Sequence, residues 1–338
     1  MQLYIQYPSW ISPEIIPGLP LRWYGLMYLF AFATAYLLFM YQVKKRKLEI
    51  ESDDVLNLFF WAIVGLLIGA RLFATTIYDP TGMYLRKPWL IFWPFNDNMQ
   101  FTGIQGMSYH GGLVGVVIAV VIYTRVKKID LLEWGDMLCA AIPLGYTFGR
   151  LGNFINGELY GRVTTAPWGM MFPTARRLPE SEPWVQKIAA QLHISLADPD
   201  RLVNLPRHPS QLYEAFFEGI VLWLVLWFIF RNRRKFKGYI IAIYMMGYGI
   251  ARFFIEYFRQ PDPGLDFIIK LSGKPNPPQL LVTPWNFTTG QVLSFVMIVG
   301  GVVCYFWFKW LTDRQPKVST FEKVPTTEKN RRRREKRK

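Results

Sequence analysis

Cysteine and histidine are nearly missing from this chain. Of 338 residues, two are cysteine (Cys139 and Cys304) and three are histidine (His110, His193 and His208). No CxxC pair and no His/Cys set at metal-ligand spacing occurs, which excludes a disulfide framework, a redox dithiol and a zinc module. Both cysteines fall inside apolar stretches, where a thiol acts as a small core residue. Acidic residues are also scarce, 24 against 39 lysines and arginines, for a net charge of +15. Magnesium-dependent phosphotransfer needs an aspartate cluster, and Asp136 alone does not supply one. The long apolar stretches lack the 3.6- or 2-residue period of half-buried elements, which excludes a soluble multidomain chain. Before Arg22 there is no lysine or arginine, so the N-terminus does not open like a cleaved signal peptide, whose first region is positive.

What the chain does have is apolar length. It is 51% hydrophobic and 17% aromatic, with 13 tryptophans, and its apolar residues gather into blocks of roughly 18 to 25, about what a bilayer core requires. The expected fold class is therefore all-α: a polytopic integral membrane protein of about seven transmembrane helices with a small extracytoplasmic head. The spans fall near residues 21–43, 55–78, 109–125, 134–152, 212–230, 238–257 and 289–311. With seven spans, the basic runs Lys44 to Lys47, Arg125 to Lys128, Arg231 to Lys237 and Arg331 to Lys338 share one side, which is the cytoplasmic one. The N-terminus is then outside, with the first span retained as a signal anchor. The positive charge is explained by these loops and the tail, so no nucleic-acid partner is expected.

Residues 1–311 are thus expected to form the transmembrane domain. Residues 153–210 form the head inserted between spans four and five, with a short helix near Glu182 to Gln191, and 312–338 form a basic cytoplasmic tail. The stretch 79–108, rich in Pro, Trp and Phe, reads as interfacial or re-entrant. Residues 258–288, with six prolines, read as mostly loop.

Charges inside the spans carry the chemistry. An arginine near a span centre costs on the order of 2.5 to 3.5 kcal/mol, so it faces a cavity, a partner or a ligand. Arg71, Arg150 and Arg252 all qualify. Arg150, Asn153 and Gly157 share a face if the fourth helix continues past them, with Gly157 leaving room for a ligand. Tyr248, Arg252, Glu256 and Arg259 form one stripe on the sixth span, where Arg252 and Glu256 are spaced to pair. Structural pairing with Glu256 and Glu158 is the alternative reading of these arginines. The arginines outnumber the acids on these faces, however, and unpaired positive charge at this depth calls for a lipid phosphate, which guanidinium binds with two parallel donors.

Arg71 divides evenly between function and packing, because Gly65 and Gly69 before it have the spacing of close helix contact. His110, in GMSYHGGLVG at the membrane edge, is a candidate base or simply a satisfied hydrogen-bonder. His208, in RHPSQLYE, precedes an expected helix start at Pro209-Ser210, with Glu214 placed to close a local cap.

WYGLMY at 23–28, GMSYHGG at 106–112, GRLGNFINGELYGR at 149–162, RHPSQLYE at 207–214 and GYGIARFFIEYFRQPD at 247–262 together resemble the prolipoprotein diacylglyceryl transferase family. The resemblance implies transfer of a diacylglyceryl group from phosphatidylglycerol to the thiol of a lipobox cysteine in a prolipoprotein signal peptide. A thioether forms and glycerol phosphate leaves, in the bacterial inner membrane and without cofactor or metal. It also implies that Arg150 binds the headgroup, that Arg252 steadies the departing phosphate and that His110 is the base. Tyr24, Asn153, Glu158, Gly161, Tyr248, Glu256 and Arg259 would line the substrate pocket. A lipid transporter would also bury arginines at a membrane edge, but no inverted repeat relates the two halves of this chain.

Overall fold

A computed structural model of the chain describes residues 3–314 except 17, 20, 96–98, 102, 104–105, 197–199, 262–266 and 274–276. Most of the expected basic tail, from 315 onward, therefore lies outside the described residues. The chain divides into two compact units, one built from residues up to 38 and from 135 on, the other from 39–134.

Helices occur at all seven expected positions: α1 (Trp23–Lys45), α2 (Ser52–Thr76), α4 (Tyr109–Val126), α5 (Leu131–Ile155), α7 (Ser210–Arg233), α8 (Tyr239–Ile255) and α9 (Thr289–Arg314). Short helices α3 (Met83–Arg86) and α6 (Pro183–Gln191) lie between them. Five of the long helices, α1, α2, α4, α7 and α9, are long and apolar enough to cross a bilayer. Of the other two, α5 carries Glu133, Asp136 and Arg150, and α8 is 17 residues long. The chain is a mostly helical, multi-pass membrane protein. Among the described residues the strands form three two-stranded pairs: β1 (Ile5–Gln6) with β2 (Met170–Met171), β3 (Leu178–Pro179) with β4 (Leu202–Val203), and β5 (Phe267–Lys270) with β6 (Asn286–Thr288). The last pair adds a hairpin-like ladder to a segment whose prolines suggest only loop.

In the unit of residues 39–134, α2 and α4 pack backbone to backbone. A Cβ on Gly65 would stand 2.5 Å from the Gly115 carbonyl and 2.6 Å from the Ala119 Cβ, and Gly69 meets the Gly111 carbonyl more closely still. Four glycines, Gly65 and Gly69 against Gly111 and Gly115, leave no side chain between the axes, the geometry of small-residue membrane interfaces. Arg71, 5% exposed, is spent on this unit's architecture. Its guanidinium donates to the carbonyls of Ile91, Gly106 (3.2 Å) and Leu90 (3.4 Å), and stacks over Tyr84 at 5.2 Å. The packing reading of Arg71 is the one these contacts support. Ser108 caps α4 by accepting from the Gly111 amide at 3.1 Å.

In the other unit the helix ends are tied by distant residues. The four final carbonyls of a helix have no partner within it, and at the end of α5 the Tyr7 hydroxyl lies 2.9 Å from the carbonyls of both Phe154 and Ile155. Helix α5 stops there. Gly157 adopts φ 65° in the reversal, where the Glu158 amide bonds to the Asn153 carbonyl at 3.0 Å. The expected continuation of this helix through Gly157 is therefore corrected, and the space beside its Cα is taken by Thr174 Oγ1 at 2.9 Å. Asp136 caps α8 from α5. Its carboxylate accepts from the amides of Gly238 (2.9 Å), Ile240 (2.9 Å) and Ile241 (3.0 Å) and pairs with Arg234 at 2.8 Å.

The segment between α5 and α7 has its own apolar core, with Val163, Leu178, Val185, Ile188, Ala189, Leu192, Val203 and Leu205 buried together. The expected short helix near residue 182 is α6, opened by Pro183 at its first turn. Buried arginines fasten this segment. Arg162 donates to the carbonyls of Arg259 (3.0 Å) and Leu280 (3.3 Å), and Arg207 reaches Gln260 and the Arg176 carbonyl (2.8 Å).

Candidate functional site

Two acids on α7 organise the charges of α5 and α8. Glu214 and Glu218 are both fully buried. One oxygen of Glu214 lies 2.9 Å from Arg150 Nε and 3.1 Å from Arg252 Nη1, and its other oxygen lies 3.9 Å from Arg259 Nε. Arg252 also approaches Glu218 at 3.7 Å and pairs with Glu256 at 2.8 Å, the i,i+4 contact its spacing suggests. Arg259 stands 3.8 Å from Glu256, which in turn accepts from Thr288 Oγ1 at 3.2 Å. The Arg150 face of α5 and the stripe on α8 therefore meet at one carboxylate.

Two sequence expectations are corrected here. Glu214 does not close a local cap; its partners come from other helices. Nor do arginines outnumber acids: Arg150, Arg252 and Arg259 face Glu214, Glu218 and Glu256, so charge surplus is not what this cluster offers an anion. Pairing is required because a lone charge in such surroundings costs several kcal/mol. The signal was present in the sequence, since Glu214 and Glu218 stand four apart in an apolar stretch. Helix α7 widens to π spacing over Ala215–Val221 and again over Val225–Phe230, an irregularity that concentrates at functional sites.

Arg150 is held by one edge. Its Nε donates to the Tyr146 hydroxyl at 2.6 Å as well as facing Glu214, and its guanidinium lies 4.8 Å from the Tyr146 ring centre. Tyr146 donates onward to Glu218 at 2.5 Å and packs edge-on against Tyr248 with centroids 5.9 Å apart. Tyr146 is a second residue that sequence reading passes over. On the outer edge of Arg150, Nη1 donates to Asn153 Oδ1 at 3.3 Å; among the described residues Nη2 meets no hydrogen-bonding partner. Asn153 passes the contact on, donating to Glu158 at 2.9 Å, and Asn156 supports the same oxygen at 3.3 Å. Tyr24 lies against Gly152, beside Asn153, with its hydroxyl 3.0 Å from that of Tyr28.

Gly161 stands where three chain segments cross. Its amide donates to the His208 carbonyl at 2.8 Å and it bridges to Arg259. A Cβ there would meet the Phe258 carbonyl and lie 2.7 Å from the His208 Cβ, so only glycine fits. Burial pushes the His208 imidazole down to about 4, which keeps it neutral, with Nδ1 3.1 Å from the Tyr213 hydroxyl. His110 belongs to the other unit, in the first turn of α4, where its exposed ring places Nδ1 3.0 Å from the Tyr78 hydroxyl.

A cavity of about 480 Å³ opens on the other faces of α7 and α8, lined by Phe217, Val221, Val225, Ile250, Phe254 and their neighbours. Tyr213 is the one polar side chain among the residues that line it.

Comparison with known proteins shows the family. A family model described as prolipoprotein diacylglyceryl transferase matches residues 12–307. The phosphatidylglycerol–prolipoprotein diacylglyceryl transferase of Treponema denticola is 51% identical over 320 residues, covering 89% of this chain and 94% of that protein. Its counterpart from Treponema pallidum is 49% identical over 89% of this chain and 94% of its own length. The protein of the same name from Chlorobaculum tepidum is 43% identical over 89% and 91%.

Proposed function

The chain belongs to the prolipoprotein diacylglyceryl transferase family, and from that premise we propose how it transfers the diacylglyceryl group of phosphatidylglycerol to a prolipoprotein. The acceptor is the thiol of a lipobox cysteine in the signal peptide. Its sulfur attacks the glyceryl carbon that carries the phosphate ester: the C–S bond forms, the C–O bond breaks, the thiol proton passes to a base and glycerol phosphate departs with the bond electrons. A free thiol has a pKa near 8.5 and is a few per cent ionised at neutral pH, so a base or a nearby cation must raise the thiolate fraction. A phosphate leaves more readily when its charge is held.

The convergence of Arg150 and Arg252 on Glu214 is the observation that carries this reading. Glu214 fixes both guanidiniums without consuming the outer edge of Arg150, and that edge receives the phosphate oxygens. Arg252, locked between Glu214 and Glu256, steadies the phosphate as it leaves. Asn153, Glu158, Tyr24, Tyr248, Glu256, Arg259 and Gly161 shape the headgroup pocket, and His110 is the base. All seven long helices span the bacterial inner membrane, with the N-terminus and the 153–210 head outside and the C-terminus in the cytoplasm.

Purified protein incubated with phosphatidylglycerol and a lipobox peptide should add a diacylglyceryl mass to the cysteine peptide and none to its Cys→Ser control. Arg150→Ala or Arg252→Ala should reduce this product at least a hundredfold while the protein still inserts. Full activity of either variant removes the electrostatic account. Retained activity of His110→Asn removes only the base.

A further inference from the structure

Arg150 keeps Nη2 without a hydrogen-bonding partner among the described residues, and the side chain that orients it lies one helical turn earlier. Tyr146 and Glu214 together occupy Nε, at 2.6 and 2.9 Å. The guanidinium carbon lies 4.8 Å from the Tyr146 ring centre. A guanidinium held at Nε by two partners and at Nη1 by Asn153 is restricted in orientation, so Nη2 points in one direction. Tyr146 is itself fixed at both ends of its ring, by the hydrogen bond to Glu218 at 2.5 Å and by the edge-on contact with Tyr248. Its hydroxyl accepts from Arg150 and donates to Glu218. No apolar ring can do both, and tryptophan, a donor only, could not take the arginine's hydrogen.

We infer that Tyr146 is a positioning residue for the lipid donor: by accepting the Arg150 Nε–H it aims the Nη edge of Arg150 at the phosphodiester of the bound anionic phospholipid. This rests on the reading that Arg150 binds that phosphate. Without the hydroxyl, Arg150 keeps its charge, its pair with Glu214 and its bond to Asn153 but loses the shortest of the contacts that fix its orientation. The lost pre-orientation weakens ground-state and transition-state binding of the headgroup alike, which raises KM and spares kcat.

The test is steady-state kinetics of the full-length protein in detergent, varying phosphatidylglycerol at saturating lipobox peptide and then the reverse. Tyr146→Phe should raise KM for phosphatidylglycerol about fivefold to tenfold, leave kcat within twofold and leave KM for the peptide unchanged. A lysine at 150 has no Nε–H, so adding Tyr146→Phe to Arg150→Lys should have no further effect on KM, whereas independent roles would multiply. An unchanged KM in Tyr146→Phe, a fall in kcat alone, or multiplicative effects in the double variant overturns the inference. If Arg150→Lys by itself leaves KM for phosphatidylglycerol unchanged, the headgroup reading of Arg150 fails first. A raised KM in Arg150→Lys with a normal one in Tyr146→Phe rejects Tyr146 alone. Should Tyr146→Phe not yield monodisperse protein, Tyr146→Met, which fills the space without donor or acceptor, is held to the same outcomes.

Discussion

At the scale of single residues, Glu214 is the hub and was the least legible. Arginines in an apolar span announce themselves by cost, and so Arg150, Arg252 and Arg259 could be picked from the sequence. Glu214 obeys the same rule, but the helix start about one turn before it offers a local explanation that conceals the distant one. Its partners sit on α5 and α8, and no one-dimensional spacing links them. Glu214→Gln keeps the shape and removes the charge that three arginines face. Breaking a buried pair from one side costs about 3–5 kcal/mol, so this variant should lose both transfer activity and thermal stability in detergent. A variant as stable as the parent would mean the carboxylate carries no net charge in the fold. The neighbouring His208 makes a separate prediction. Its folded pKa near 4 lies below the ordinary imidazole value of 6.5, so the unfolded chain binds the proton more readily. Stability from this residue is complete above pH 6.5 and declines as pH falls toward 4. His208→Asn should flatten that part of the melting-temperature profile relative to the parent; parallel profiles would count against a buried neutral imidazole.

At the scale of elements, helix positions were readable because bilayer thickness fixes apolar length. The expected span 109–125 is helix Tyr109–Val126, and 289–311 is Thr289–Arg314. Termini were less readable wherever a remote group sets them: Tyr7 at the end of α5 and Asp136 at the start of α8 act across most of the unit's sequence. The α2–α4 contact was legible from one side, through Gly65 and Gly69, while their counterparts Gly111 and Gly115 double as the glycines flanking His110. Gly115→Leu drives its first carbon into the Gly65 carbonyl. Overpacking of this kind costs about 1–3 kcal/mol, and the variant should melt earlier and lose resistance to proteolysis within 39–134. Unchanged melting would show that the two helices are not locked together by backbone contact.

For the whole molecule, the basic residues carry the proposed orientation, while the described structure gives five helices that qualify as spans by length and composition. Of the two remaining helices, α5 carries Glu133, Asp136 and Arg150, and α8 is apolar but 17 residues long. The seven-span orientation is checked by labelling. In a background with Cys139 and Cys304 replaced by Ala, a cysteine at Ser12 should react with an impermeant maleimide on spheroplasts, and one at Asn232 only after permeabilisation. Equal labelling of the two before permeabilisation would contradict an odd number of crossings between them.

The pairing of β1 with β2 also bears on how the chain is made. Ile5 takes its place beside Met170, and Tyr7 finds its acceptors at Phe154 and Ile155. At roughly 5–20 residues per second, the ribosome delivers those partners ~8–30 s after the first strand. The beginning of the chain thus settles only once about half of it has been made, and through that interval its apolar residues wait for a neighbour that does not yet exist.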